Sequence, residues 1–134
     1  MEPYLVVDMA SVLDKSAVGR TATASLEAEW ASADAEHRRR LQDAARASGA
    51  SRAKLEAEAE QLGREALSAL EQRRAALRVK LLARVGSLVR DLAKERGAGL
   101  VLERSAVLVF AQDADVTHEV IRRLDALGEL GELG

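Results

Sequence analysis

No cysteine occurs among the 134 residues. This excludes a disulfide framework, a thiolate zinc site and a cysteine nucleophile. It leaves the compartment open. Aromatics are confined to Tyr4, Trp30 and Phe110, and much of the 48% apolar content is alanine, which buries little area. A thick core within one chain is therefore not expected. Helix-on-helix seams and an interface between copies are better sources of the burial that offsets chain entropy. No apolar run reaches the roughly 18–20 residues of a transmembrane helix. No leader pattern precedes the apolar run at Tyr4, so the expectation is a cytosolic chain or a mature exported form without its signal. Neither sign of charge dominates: 20 basic and 22 acidic residues give a net −2, which offers no push toward nucleic acid.

Proline is just as scarce. The single one is Pro3, and the 77 residues from Arg20 to Arg96 hold none, with glycine only at Gly49, Gly63 and Gly86. Alanine, leucine, glutamate and arginine fill this stretch, and these are strong helix formers. A helical pattern this long points to a coiled coil or a helical hairpin. On the first helix, about Thr23 to Ala47, the residues Leu26, Trp30, Ala33, His37, Leu41 and Ala44 or Ala45 trace one face. At about 1.5 Å per residue it spans roughly 40 Å. Ser48-Gly49-Ala50-Ser51 is the favoured turn, with Ser51 as N-cap; Gly63 is the second choice. The second helix, about Arg52 to Arg96, carries a stripe from Leu55 through Ala59, Leu62, Ala66 and Leu70 to Leu77, Leu81, Val85, Leu88 and Leu92. The stripe widens at Leu82 and Val89, which predicts that the last third of this helix enters a body. Gly97 fits a helix C′ position.

The flanking segments are shorter. Tyr4 to Met9 reads as a strand covered on both faces. Ala10 to Lys15 reads as a short helix with Val12 and Leu13 inward, and Gly19 as the break before the long helix. Leu100–Glu103 and Ala106–Phe110 read as a strand hairpin joined by Arg104-Ser105. Asp115 is a candidate N-cap for a last helix, Val116 to Leu127, with Val120, Ile121 and Leu124 inward. Residues 128–134 read as a frayed tail. Three sequence-distant strands leave unpaired edges, which pairing with further copies would remove. The expected interface residues are Leu5, Val7, Leu100, Leu102, Val107 and Val109.

No residue set builds a catalytic, metal or cofactor site. His37 and His118 lie on different elements without ligand spacing around them. Asp113, Asp115 and Glu119 lack the calcium-loop pattern. Gly97 and Gly99 lack a phosphate-loop context. An enzyme is thus the least favoured class, and no cofactor is expected. Charge does segregate. From Arg38 to Lys54, Arg38, Arg39, Arg40, Arg46, Arg52 and Lys54 face one acidic residue, Asp43. With the turn at Ser48–Ser51 this basic excess gathers at the hairpin tip. It is either a solvated surface or a contact for acidic client segments or anionic lipid head groups. A second excess at Arg73, Arg74, Arg78, Lys80 and Arg84 suits ion pairs to the first helix or a cavity wall.

Four pieces resemble the Skp/OmpH family of periplasmic chaperones. They are Leu5-Val6-Val7-Asp8-Met9 with Ser11-Val12-Leu13; Leu26-Glu27-Ala28-Glu29-Trp30; Ser51-Arg52-Ala53-Lys54-Leu55-Glu56; and Leu100–Leu102 through Ala106-Val107 with Asp115-Val116-Thr117-His118-Glu119-Val120. Together they cover about residues 4 to 127. The resemblance implies a homotrimer in which strands of three chains close one barrel. It implies helical arms around a cavity that holds unfolded outer-membrane β-barrel proteins without ATP, and a periplasmic location. The chain departs from the strongly basic members in being slightly acidic. The expected fold class is α+β, mostly α: a long antiparallel helical hairpin, a coiled-coil arm, projecting from a small β-barrel body formed by oligomerisation. One domain is expected over 1–134, with the body at 4–19 and 97–127 and the arm at 20–96. The competing readings are a peripheral-stalk subunit of a rotary ATPase and a generic coiled-coil scaffold.

Overall fold

The computed structural model describes residues 4–128. The elements run β1 (Tyr4–Val7), α1 (Met9–Lys15), α2 (Ala17–Arg46), α3 (Gly49–Arg96), β2 (Leu100–Glu103), two 3-10 turns (Arg104–Ala106 and Gln112–Ala114) and α4 (Thr117–Ala126). They divide into two compact units. One takes in the chain up to Thr23 and from Leu77 onward, and the other is Ala24–Ala76. The terminal third of α3 therefore belongs to the first unit, as its leucine-rich face predicts.

In the first unit β1 is the central strand. Leu5, Val6 and Val7 are all buried, as four consecutive apolar residues require of a strand covered on both faces. One edge pairs in parallel with β2, Tyr4 opposite Leu100 and Val7 opposite Glu103. The other edge takes a bridge to Asp115, and the Val116 N–H donates to the Val6 carbonyl at 2.9 Å. The core gathers Leu5, Val7, Val12, Val18, Leu81, Val85, Leu92, Val116, Val120 and Leu124. Each such side chain contributes about 1.5–3 kcal/mol by leaving water. Val12, Leu13, Val120, Ile121 and Leu124 take the inward places read from the sequence.

One residue both ends α1 and opens α2. Ser16 is buried and extended (φ −68°, ψ 150°); its N–H donates to the Val12 carbonyl at 3.1 Å and its hydroxyl accepts from the Gly19 N–H at 2.9 Å. The Ala17 N–H, another orphan of the helix start, donates to the Asp125 carboxylate at 2.7 Å. The expected break at Gly19 is corrected to Ser16. Gly19 sits inside α2 because a Cβ there would lie 1.9 Å from the Leu13 carbonyl oxygen, so the close approach of α1 requires glycine. At its other end α3 closes as expected. Gly97 has φ +68°, its N–H donates to Lys94, and the Ala98 N–H donates to Ala93 at 2.9 Å, the paired bonds of a Schellman cap.

The second unit is an antiparallel helical hairpin. The chain turns after Arg46 and re-enters helix at Gly49, whose φ of +62° a residue with a Cβ rarely adopts. The turn is thus at the favoured position rather than at Gly63. Helix α3 begins at Gly49, so Ser51 lies inside it and is not its N-cap. The seam is built on small residues: Ala44 and Ala59 are its buried side chains, and Gly63 receives the His37 ring, with Nδ1 3.0 Å from where a Cβ would stand. Trp30, read as the large anchor, is 53% exposed.

The expected strand hairpin is also corrected. Leu100–Glu103 is a strand, but its partner is β1, and Ala106–Phe110 forms no strand within the chain. The 3-10 turn at Arg104–Ala106 carries the chain away from β2, and β-branched content cannot make a strand without an edge to pair with. The tail over 129–134 lies outside the described residues.

The glycines give a paired test. Alanine in a helix is normally favoured over glycine by about 1 kcal/mol. Gly86→Ala, where a Cβ meets nothing within 4 Å, is expected to raise the unfolding midpoint in urea accordingly. Gly19→Ala is expected to lower stability by about 2 kcal/mol or more, since the Leu13 carbonyl must move. Equal midpoints for the two variants would contradict the packing of α1 against α2.

Candidate functional site

Three surfaces carry the chemistry available. The first is the basic excess beside the turn. Arg38 pairs with Asp34 (3.1 Å), Arg39 and Arg40 with Glu36, Arg46 with Asp43 (3.8 Å) and Arg52 with Glu56 (2.9 Å). All are one helical turn apart and at least partly exposed, so each contributes a few tenths of a kcal/mol. Glu36, held by the Arg39 guanidinium, has its carboxyl below the ordinary range. Lys54 is exposed as well. The acidic partners just outside the 38–54 window reduce the excess to six basic against four acidic residues over 34–56. Arg73, in the second excess, does reach the first helix: it is paired with Glu29 and lies 3.3 Å from the Ser25 hydroxyl.

The second surface is a groove along the hairpin, of about 330 Å³. Trp30, Ala33 and His37 of α2 face Gly63, Ala66, Leu67 and Leu70 of α3 across it, with Asp34, Glu60 and Arg64 at the rim. Trp30 and Leu67 are each 53% exposed. His37 Nδ1 is buried without a partner, pressed against the Gly63 backbone. Sequence reasoning placed Trp30 and His37 on the seam but missed Leu67, which lies one position off the stripe of α3. The signal that could have found the groove is the column of small residues, Ala33, Gly63 and Ala66, beside the sole tryptophan.

The third surface is at the edge of the small sheet. Of the expected interface residues, Leu5 and Val7 are taken up by the chain's own core, Leu102 and Val107 are half-buried, and Leu100 and Val109 are exposed, Val109 at 82%. Leu108, not singled out from sequence, is 98% exposed. The segment is held at its C-terminal side. The Tyr4 hydroxyl accepts from the Ala111 N–H at 3.0 Å, and the Arg104 guanidinium lies 5.8 Å from the centre of the Phe110 ring. Among the described residues no strand covers the outer edge of β2.

Behind this edge a polar relay fixes the helix starts. The Asp8 N–H donates to the Thr117 hydroxyl (2.9 Å), which donates to Asp115 (2.6 Å). Asp115 also accepts from the Thr117 N–H at 3.0 Å and so braces the start of α4, but the N-cap position is held by Val116, which corrects the expected N-cap at Asp115 by one residue. Met9 N–H reaches the Glu103 carboxylate. The Asp8 carboxylate caps α1 by accepting from the Ser11 N–H (3.2 Å) and hydroxyl (2.9 Å), with Arg104 at 3.5 Å. These contacts, the Ser11 N–H foremost, hold its carboxyl below the ordinary carboxylate range. Glu95 is lowered likewise by Arg123, which grips it at 2.6 and 3.2 Å. His118 is exposed in the first turn of α4. Among the described residues no group of three potential ligands could hold a metal, and no helix is long and apolar enough to cross a membrane.

The order of elements, a helical hairpin inserted between the two strands of a small α/β body, defines a class. The family of outer membrane proteins described as OmpH-like matches residues 4–124, and the chain belongs to that family. A crystal structure of a protein from Caulobacter crescentus CB15, described as a proposed OmpH-like outer membrane chaperone, aligns with a TM-score of 0.71 at 16% identity, over 96% of this chain and 87% of that one. At that identity the likeness speaks for the fold. No curated protein matches.

Asp8 yields a prediction with a defined sign. Its folded pKa lies below the unfolded one, so its contribution is present above about pH 4 and is lost as pH falls through the folded value. Asp8→Ala is expected to cost about 1 kcal/mol at pH 7, as loss of an N-cap does. Urea melts should show this gap from the parent narrowing as pH falls below about 4. Asp8→Asn, which can cap without charge, should show a smaller deficit at pH 7. A gap for Asp8→Ala that stays the same as pH falls would remove the capping account.

Proposed function

We propose that this chain is a periplasmic holdase that keeps unfolded outer-membrane β-barrel proteins from aggregating, without ATP. The family match over residues 4–124 carries this reading. It also weighs against the peripheral-stalk and scaffold alternatives and against an enzyme. Two features of the chain fit the role. The hairpin seam closes on alanine and glycine, so Trp30, Leu55, Leu62 and Leu67 remain exposed on its surface and available to an unfolded chain. The sequence carries no phosphate-binding loop that would couple binding to a nucleotide.

The active form is proposed to be a homotrimer. The outer edge of β2 and the apolar segment Val107–Phe110 lie beside each other in sequence. Val107 is already extended (φ −118°, ψ 124°). A neighbouring copy would pair these groups and cover Leu100, Leu102, Val107, Leu108 and Val109, closing the small sheets into one barrel. Clients are proposed to be held among the helical hairpins. Anionic lipid contact rests on net charge alone, since the arginines near the turn are paired within their helices, and it forms no part of the mechanism.

Two measurements test this. Light scattering on a sizing column is expected to give about three times the 14.4 kDa chain mass. Val109→Asp, at an exposed position, is expected to dissociate the assembly while helical circular dichroism persists. A parent that is monomeric at micromolar concentration overturns the trimer. Turbidity after dilution of a urea-unfolded outer-membrane β-barrel protein is expected to fall in the presence of the parent. Unchanged turbidity at molar excess overturns the holdase reading.

A further inference from the structure

We infer that the groove between Trp30 and Leu67 is a recognition pocket for one aromatic side chain of an extended client segment. The inference rests on the chaperone reading and names what one part of the hairpin surface selects. Its volume of about 330 Å³ is at the lower limit of ligand pockets, so it suits a side chain rather than a folded surface. The lining is mainly apolar; Ala33 and Ala66 place little bulk between the helices, while the space at Gly63 is taken by the His37 ring.

Charge decides against an ionic occupant. Asp34 at the rim is engaged by Arg38 at 3.1 Å and Glu60 by Arg64 at 3.9 Å, so the rim has no uncompensated charge for an acidic or basic side chain to meet. Aromatic occupants are favoured over aliphatic ones for two reasons. The Trp30 ring, 53% exposed, offers an edge or face for an aromatic pair, which is worth more than burial of equal area. The Arg64 guanidinium at the rim can lie over an incoming ring. Transmembrane β-strands display aromatic residues at both membrane interfaces, so an unfolded barrel protein presents such side chains at intervals along its length. The groove reads that feature, and the other exposed leucines of the hairpin do not.

Trp30 is the only tryptophan, so its emission reports the groove directly. The full chain is titrated with a tryptophan-free peptide of about ten residues, the length of a membrane β-strand, carrying two tyrosines. A second peptide has leucine in place of both. The tyrosine peptide is expected to shift Trp30 emission to the blue and to bind about three- to tenfold more tightly. Ala66→Leu, which keeps a strong helix former and fills the floor, is expected to remove the preference with circular dichroism unchanged. Trp30→Phe, followed by peptide anisotropy, is expected to retain it. Equal affinities for the two peptides, or Ala66→Leu behaving as the parent, overturns the inference. So does an emission shift that follows protein concentration without peptide, which would seat a second copy in the groove. Suppression of aggregation by the parent with no aromatic preference removes the groove alone. Aromatic preference without suppression supports the groove and removes the holdase reading.

Discussion

The body depends on the burial of one four-residue strand. Tyr4–Val7 is covered on both faces and met on both edges, by Leu100–Glu103 on one side and by Asp115–Val116 on the other. Every partner lies more than ninety residues away in sequence. The strand therefore meets its partners only where the chain returns after the helical segment. Such long-range closure costs loop entropy. The shared burial of Leu5 and Val7 in one core cluster with Val85, Leu92, Val120 and Leu124 offsets it. The polar relay from Asp8 through Thr117 to Asp115 adds direction, because its members come from the start of α1 and the start of α4.

The hairpin is held on different terms. It has no leucine that is fully buried within Ala24–Ala76; its closed contacts are Ala44, Ala59 and the His37–Gly63 notch. Small residues let helix axes approach, but they remove little apolar area from water. Helix propensity and pairs such as Arg38–Asp34 and Arg52–Glu56 must supply a larger share of the stability than they do in the body. Large apolar groups, Trp30 and Leu67 among them, are then left at the surface.

Sequence reading recovered what local chemistry controls. Composition set the helices, Gly49 the turn and Gly97 the cap, while the run of apolar residues at Leu5 marked a strand buried on both faces. Tertiary demands were less legible. Gly19 looked like a break because its role, room for the Leu13 carbonyl, exists only once α1 has folded back. Ala106–Phe110 looked like a strand because its residues favour one, although the 3-10 turn at Arg104–Ala106 carries the segment away from the free edge of β2. The basic excess around Arg38, Arg39 and Arg40 is smaller than the 38–54 window suggests, because Asp34 and Glu36, just outside it, are their partners. The groove escaped notice because stripe counting rewards large residues, and its floor is made by their absence.

The two unsatisfied apolar surfaces differ in a way that bears on their uses. Leu108 and Val109 stand on a short segment whose C-terminal side is held by the Tyr4 hydroxyl at Ala111 and by the Arg104–Phe110 contact, beside an unpaired strand edge. An existing strand edge of that kind offers an in-line row of backbone groups, so pairing there favours one register. The hairpin surface offers no backbone edge, only separated side chains and a shallow groove on a helical frame. Contacts there are individually weak and set no register, so a flexible chain can engage several of them and release each in turn. The proposed assembly contact therefore suits the first surface and the proposed transient client the second.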